Sequence, residues 1–225
     1  VWKLMDWAFT CTSGFVVLVI FTVMASDVGL SNIFTWHPVL LSLAFLMCMN
    51  EGLLVYFKGK VDGEPREVSR YWHGRYMLMA ALLSFGGYLA IYISHVKQNH
   101  SQFAVGHPLI NQVHVIFGYF VLLLVLLQSC VGAAKYVDRL KAKWHGKLGL
   151  YIYGAGVLNI CIAAVFWNSE SWRGIVRILV IFLSLLLAFV TIALKRYGAA
   201  FNTANDFAKN QANAYETVAL TETHA

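Results

Sequence analysis

The chain has 225 residues, of which 59% are hydrophobic and only 12% charged, against about 45–50% and about 25% in soluble proteins. That balance excludes a water-solvated globule and makes membrane lipid the natural solvent. The net charge of +6 follows from membrane topology and calls for no nucleic acid.

Six uninterrupted apolar runs are predicted as spans, at residues 7–26, 37–57, 74–96, 114–134, 147–167 and 174–194. About 20 apolar residues cross a hydrocarbon core about 30 Å thick, and only a helix satisfies all of its own backbone hydrogen bonds there. The expected fold is therefore all-α. The first run lacks a basic n-region followed by a small-residue cleavage site, so it reads as a true span and not as a signal peptide. The expected inner connections are 58–72 and 135–146, and the outer ones 27–36, 97–113 and 168–173, all too short for a second domain. The stretch from Lys58 to Glu67 mixes both charge signs with Gly and Pro, as a solvated turn does. Beyond Arg196 the chain turns rich in Asn, Ala and Thr. These features divide it into a transmembrane domain at 1–198 and a polar tail at 199–225, read as a partly ordered helix or a docking segment. Trp2, Trp7, Trp36, Trp72, Trp144, Trp167 and Trp172 sit at or near span ends, where an amphipathic ring meets the headgroups. Cys11, Cys48, Cys130 and Cys161 all lie inside apolar runs and read as buried thiols, with no disulfide or zinc spacing.

Charge orients the spans. With the N-terminus inside, the inner side collects Lys3, Lys58, Lys60, Arg66, Arg70, Arg75, Lys135, Arg139, Lys141, Lys143, Lys147, Lys195, Arg196 and Lys209. Only Lys97, Arg173 and Arg177 remain outside. Fourteen cations against three predict an even number of spans with both termini in the cytosol.

Four of the eight histidines repeat one position in four consecutive spans: His37, His73, His114 and His145 each stand at a predicted helix start. Consecutive spans run in opposite directions, so His37 and His114 share the outer half of the membrane, and His73 and His145 the inner half. Neutral imidazole is a good ligand for haem iron, and two from facing helices saturate it and leave an electron carrier. Gly118 follows His114 by four residues and Gly149 follows His145 by four, on the same helix face, where a missing side chain leaves room for a flat group. Pro38 suits the first turn of a helix. The pattern alone points to two sites for metal or haem. A zinc or manganese transporter competes for the same histidines, yet it should also bring carboxylates into the bundle, where only Glu51 is a candidate. His95, His100 and His107 read as solvated outer residues or as lining an entry site, with His107 the rival to His114.

At these residues the chain resembles the cytochrome b561 family, in its short form without an extra extracellular domain. The resemblance covers about residues 33–167 and is carried by Phe34-Thr-Trp-His-Pro-Val-Leu-Leu-Ser-Leu-Ala-Phe, by Asn50-Glu-Gly-Leu-Leu-Val-Tyr, by His114-x3-Gly118 with Gln128 and Gly132, and by His145-x3-Gly149. It implies a central four-helix bundle of spans two to five, flanked by spans one and six. It also implies two haem b groups, one on His37 with His114 and one on His73 with His145. Members of the family generally pass electrons from cytosolic ascorbate to monodehydroascorbate or ferric iron on the other side. The chain departs from the family where many members have arginine after Leu-Leu-Val-Tyr: here Phe57 and then Lys58 follow. It also has Gln112-Val-His-Val-Ile where many have Ser-Leu-His-Ser-Trp. Both departures fall in regions linked with ascorbate.

The expected partners are lipid, a small-molecule electron donor and a small-molecule acceptor. No catalytic side chain is expected. Candidate substrate-binding residues are Lys58, Lys60, Arg70, Arg75, Lys143, Lys147 and Tyr56 inside and His107 outside, and Glu51 is expected to pair with Arg75 or to help move a proton that accompanies the electron. The rival reading is a haem-bearing or structural subunit in a homodimer or a larger membrane complex, docked through the tail.

Overall fold

The structure, a computed structural model, describes residues 2–103, 106–137, 139–166 and 174–197, with side chains from residue 7 onward. The polar tail at 199–225, Trp167 and Trp172, and the side chain of Trp2 lie outside that description. Six helices among the described residues are long and apolar enough to cross a membrane: Trp7–Asp27, Ile33–Asp62, Arg66–Gln98, Leu109–Tyr136, His145–Val165 and Gly174–Tyr197. They are the first to sixth spans below, and no described residue is in a strand.

The helices outrun the apolar stretches that predicted them. The second and third have 30 and 33 residues, about 45 Å and 50 Å at 1.5 Å per residue, so they project well beyond the hydrocarbon. The inner connection expected at 58–72 is accordingly reduced to Gly63–Pro65, because helix continues on both sides of it. Gly63 takes φ 71° and its N–H closes the helix onto the carbonyls of Gly59 and Lys60, and Pro65 opens the next. Positive φ is costly for a residue with a Cβ, and glycine supplies it here.

Helix extension also moves the histidines. His37 is the second residue of its α-helix and His145 the first, as expected, whereas His73 and His114 stand one to two turns inside theirs, which corrects the expectation that all four mark helix starts. Hydropathy locates the edge of the hydrocarbon, whereas a helix ends where its backbone is capped.

Small residues bring spans two and three close together, as membrane helices without a hydrophobic driving force require. A Cβ added to Gly87 would lie 3.0 Å from Leu41 Cγ and 3.3 Å from the His37 carbonyl oxygen, and one on Gly52 would lie 2.8 Å from Met77 Cε. Midway along the second span, Leu43–Met49 forms a π-helical segment, a form that recurs at functional sites. It drives the Phe45 ring against Gly156 on the fifth span. On the inner side of this contact Asn50 is fully buried and pins four helices. Its amide donates to Ser13 Oγ at 3.4 Å, and its oxygen accepts from the Tyr153 hydroxyl at 3.2 Å and from the Thr191 hydroxyl. Outward faces are apolar, as at Ile116, Phe120 and Leu126 on the fourth span, which is the lipid side of such a bundle.

Candidate functional site

The four in-register histidines come together as two pairs. His37 and His114 have ring centres 6.4 Å apart with planes at 85°, and His73 and His145 have centres 6.3 Å apart with planes at 81°. Gly52, whose carbonyl contacts His73, lies fifteen residues beyond His37 on the second span, about 22 Å by helical rise. The pairs therefore occupy opposite ends of the bundle.

Three of the imidazoles are fixed by neighbouring backbone. His37 Nδ1 contacts the Gly87 carbonyl at 3.0 Å, His73 Nδ1 the Gly52 carbonyl at 2.7 Å, and His114 Nδ1 the Asn159 carbonyl at 3.2 Å. A carbonyl can only accept, so each Nδ1 carries the proton and each Nε2 keeps its lone pair, the state a metal ligand needs. His145 differs. Its Nδ1 and the Oε1 of nearby Gln128 are buried without hydrogen-bond partners, although Gln128 Nε2 donates to the His145 carbonyl.

The chemistry of haem can be tested against these positions. Two imidazole nitrogens each about 2 Å from one metal, on the line between the rings, put the ring centres about 6.3 Å apart. Both pairs meet that spacing. The orphaned polar atoms beside His145 fit a site completed by a further group. Among the described residues no three His, Cys, Asp or Glu gather into one cluster.

The outer pair opens into a cavity of about 540 Å³, within the roughly 300–1,000 Å³ of small-molecule and cofactor sites. Its walls include Phe45, Gly118, Gly156 and Asn159, and it extends to His95, His100 and His107. The three histidines read as solvated or as lining an entry site thus line one chamber with His37 and His114. The room at Gly118 is bounded by the Asn159 amide, 2.9 Å from where a Cβ would stand, and that at Gly149 by the Gln128 amide at 3.2 Å.

The substrate candidates separate. The Tyr56 ring lies against that of His73, centres 5.2 Å apart and planes tilted by 45°, and His107 lines the outer cavity. Lys58 is bound to Glu51, whose other oxygen accepts from Thr10 at 2.9 Å. This corrects the expected Glu51–Arg75 pair: Lys58 is two turns along the same helix face, whereas Arg75 lies over the Tyr71 ring at 4.8 Å. Arg70 caps the fourth span through the carbonyls of Lys135 and Tyr136. Lys60, Lys143 and Lys147 are exposed.

Two features escaped sequence reasoning. Asn50, Gln128 and Asn159 are the only carboxamides inside the six apolar runs, a legible signal, since polar side chains at membrane depth are expensive without a role. Lys195, at the inner end of the sixth span, lies over the Tyr56 ring at 5.2 Å, and the sequence did not separate it from the other inner cations.

The profile of eukaryotic cytochrome b561 matches residues 36–167, the stretch holding all four paired histidines. Among curated proteins the chain is 29% identical over 137 residues to the transmembrane reductase CYB561D2 of Mus musculus, covering 60% of this chain and 59% of that protein. It is 27% identical over 171 residues to the protein of that name in Homo sapiens, covering 71% and 74%, and 31% identical over 159 residues to that of Bos taurus, covering 64% and 68%. With more than half of its length matched, on the helices that bring the histidines together, the chain belongs to the cytochrome b561 family of haem-carrying transmembrane oxidoreductases.

Proposed function

We propose that the chain carries electrons across a membrane through two haem b groups, one held by His73 and His145 near the cytosolic face and one by His37 and His114 near the opposite face. The observation that carries this reading is the recurrence of one histidine geometry, with centres 6.3 and 6.4 Å apart and planes near perpendicular, at both ends of one helix bundle. When bound, such groups supply one-electron transfer at low-spin iron with no open position for oxygen. The protein's part is to fix Nδ1 of His37, His73 and His114 on backbone carbonyls, leaving Nε2 free to bind, and to wrap the sites in apolar helix. Electrons enter from a cytosolic small-molecule reductant such as ascorbate, drawn by the basic inner face. They leave to monodehydroascorbate or ferric iron, with the outer cavity and His107 as the place of exit. An inside-negative potential favours this direction by about 2.3 kcal/mol per charge per 100 mV over the full span.

The test is the visible spectrum of the purified protein. Two low-spin b-type haems are expected, reduced by ascorbate, with His37→Ala and His114→Ala each losing the outer one and His73→Ala and His145→Ala the inner. A preparation lacking haem absorbance would sink the proposal. Haem that neither ascorbate reduces nor ferric chelates reoxidise would favour an accessory subunit instead.

A further inference from the structure

Three of the four paired histidines are anchored by main chain, and the anchors follow a rule. The second and third spans exchange carbonyls: Gly87 serves His37 and Gly52 serves His73. The fourth and fifth spans make half of the same exchange, with the Asn159 carbonyl serving His114. The return contact from the fourth span to His145 is the missing one, because His145 Nδ1 is buried without a partner among the described residues. What the fourth span presents there is Gln128 and, one turn further on, Gly132. A Cβ on Gly132 would lie 3.3 Å from His145 Cε1, the carbon between the two ring nitrogens, so this face of the span lies against the imidazole itself. The Gln128 amide nitrogen donates to the His145 carbonyl. A carbonyl only accepts, so that contact fixes which end of the carboxamide is nitrogen and leaves the acceptor Oε1 buried beside it with no donor.

Two residues already in contact thus hold one orphan nitrogen and one orphan acceptor at membrane depth, where an unbonded polar group is costly. A group bound at Nε2 of His145 obliges its Nδ1 to carry the proton, and a small rotation of the Gln128 carboxamide brings Oε1 to that N–H. We infer that Gln128 is a positioning residue for His145, its side-chain oxygen accepting the Nδ1–H bond that backbone carbonyls accept at the other three histidines. The bond fixes the tautomer that leaves Nε2 to the site shared with His73, and it makes the imidazole a stronger donor there. It also gives Gln128 a role that a carboxamide inside an apolar run otherwise lacks. The inference rests on the proposed reading of His145 as a ligand of the inner group.

Gln128→Met keeps the length and removes both polar ends, whereas Gln128→Glu keeps an acceptor and loses only the amide donor. The difference between them therefore reads the acceptor. The protein in nanodiscs is compared for the midpoint potential of each haem, the low-spin EPR signal of the inner haem and the affinity with which it is held. Nitrogen-15 histidine spectra of the haem-free chain report the His145 tautomer, assigned by its loss in His145→Ala. In Met the inner potential is expected to move to more positive values, because an imidazole with an unbonded Nδ1–H stabilises ferric iron less. The inner EPR signal shifts with it, the inner haem is held about 10–100-fold less tightly, and the outer haem does not change. In the haem-free Met chain His145 samples both tautomers, where the unsubstituted chain holds the proton on Nδ1. Glu restores tautomer and retention, with a potential at the original value or below it. Unchanged inner potential and tautomer in Met overturn the inference, as does a Glu variant that behaves like Met. Loosening of both haems with unmoved potentials overturns it too and assigns Gln128 to packing. A chain that takes up no haem, yet holds the Nδ1 proton of His145 only when Gln128 or Glu is present, would sink the electron-carrier reading and leave this contact standing.

Discussion

Asn50 shows what one side chain can do at membrane depth. A carboxamide in lipid is tolerable when both ends are bonded, and here Ser13, Tyr153 and Thr191 come from three other helices to satisfy it. Interhelical hydrogen bonds in membranes contribute about 0.6–2 kcal/mol each. Tyr153→Phe, which removes one bond, is expected to lower the thermal midpoint in detergent slightly. Asn50→Leu removes all three and leaves hydroxyls buried alone, so it should lower the midpoint at least twice as far. Haem content should survive both, because the network lies off the histidine pairs. Equal effects of the two variants would show that the bonds do not act through Asn50. That these positions mattered was readable in the sequence, where three carboxamides interrupt the six apolar runs. Which partners they meet was not, because Ser13 and Thr191 are ordinary residues until folding brings them 37 and 141 positions across the chain. Lys195 was illegible for a related reason. A cation at an inner helix end is what positive-inside topology demands anyway, so its proximity to Tyr56 leaves no mark on the pattern.

Among the elements, the second span has the most to accommodate. It carries His37 outward and lends the Gly52 carbonyl to His73, and between them the π-helical segment at Leu43–Met49 adds a residue per turn and re-aims Phe45 toward Gly156. The glycine is what permits that contact, because a Cβ there would overlap the buried ring. Gly156→Ala is therefore expected to cost about 1–3 kcal/mol through overpacking. It should loosen the grip of the second span on the fifth, visible as a lower unfolding midpoint and weaker retention of the outer haem. Phe45→Leu added to it should restore most of the loss. If Gly156→Ala alone is silent, the ring has another place to go and the segment is not held by this contact. Hydrophobic runs made the existence of every span legible, and opposite chain direction sorted the histidines into their pairs. Helix ends were not legible, since the polar extensions at Lys58–Asp62 and Arg66–His73 stay helical by capping and continuity, which hydropathy does not register. The π-helical segment has no sequence sign at all: it contains no glycine or proline.

At the scale of the molecule, the two histidine pairs become a directed path only once the bundle has an orientation. The proposed orientation rests on the sequence count of fourteen Lys and Arg on one side against three on the other, a bias that counts where connections are short. On the proposed reading the same asymmetry makes the inner end basic, which would draw an anionic donor to the His73–His145 end and leave the cavity of the His37–His114 pair to the acceptor. Orientation and electron direction therefore stand together. The exposed tips Glu64 and Ser101 lie on opposite sides of the third span and report both. In a chain whose four cysteines are replaced by alanine, Glu64→Cys should react with an impermeant maleimide only from the cytosolic face and Ser101→Cys only from the other. In vesicles of the same orientation, ascorbate supplied on the Glu64 side should reduce haem faster than ascorbate supplied on the Ser101 side. A reversed labelling pattern would invert the membrane sidedness of donor and acceptor without disturbing the pairs. Labelling as expected with faster reduction from the Ser101 side would instead place the donor site at the outer cavity.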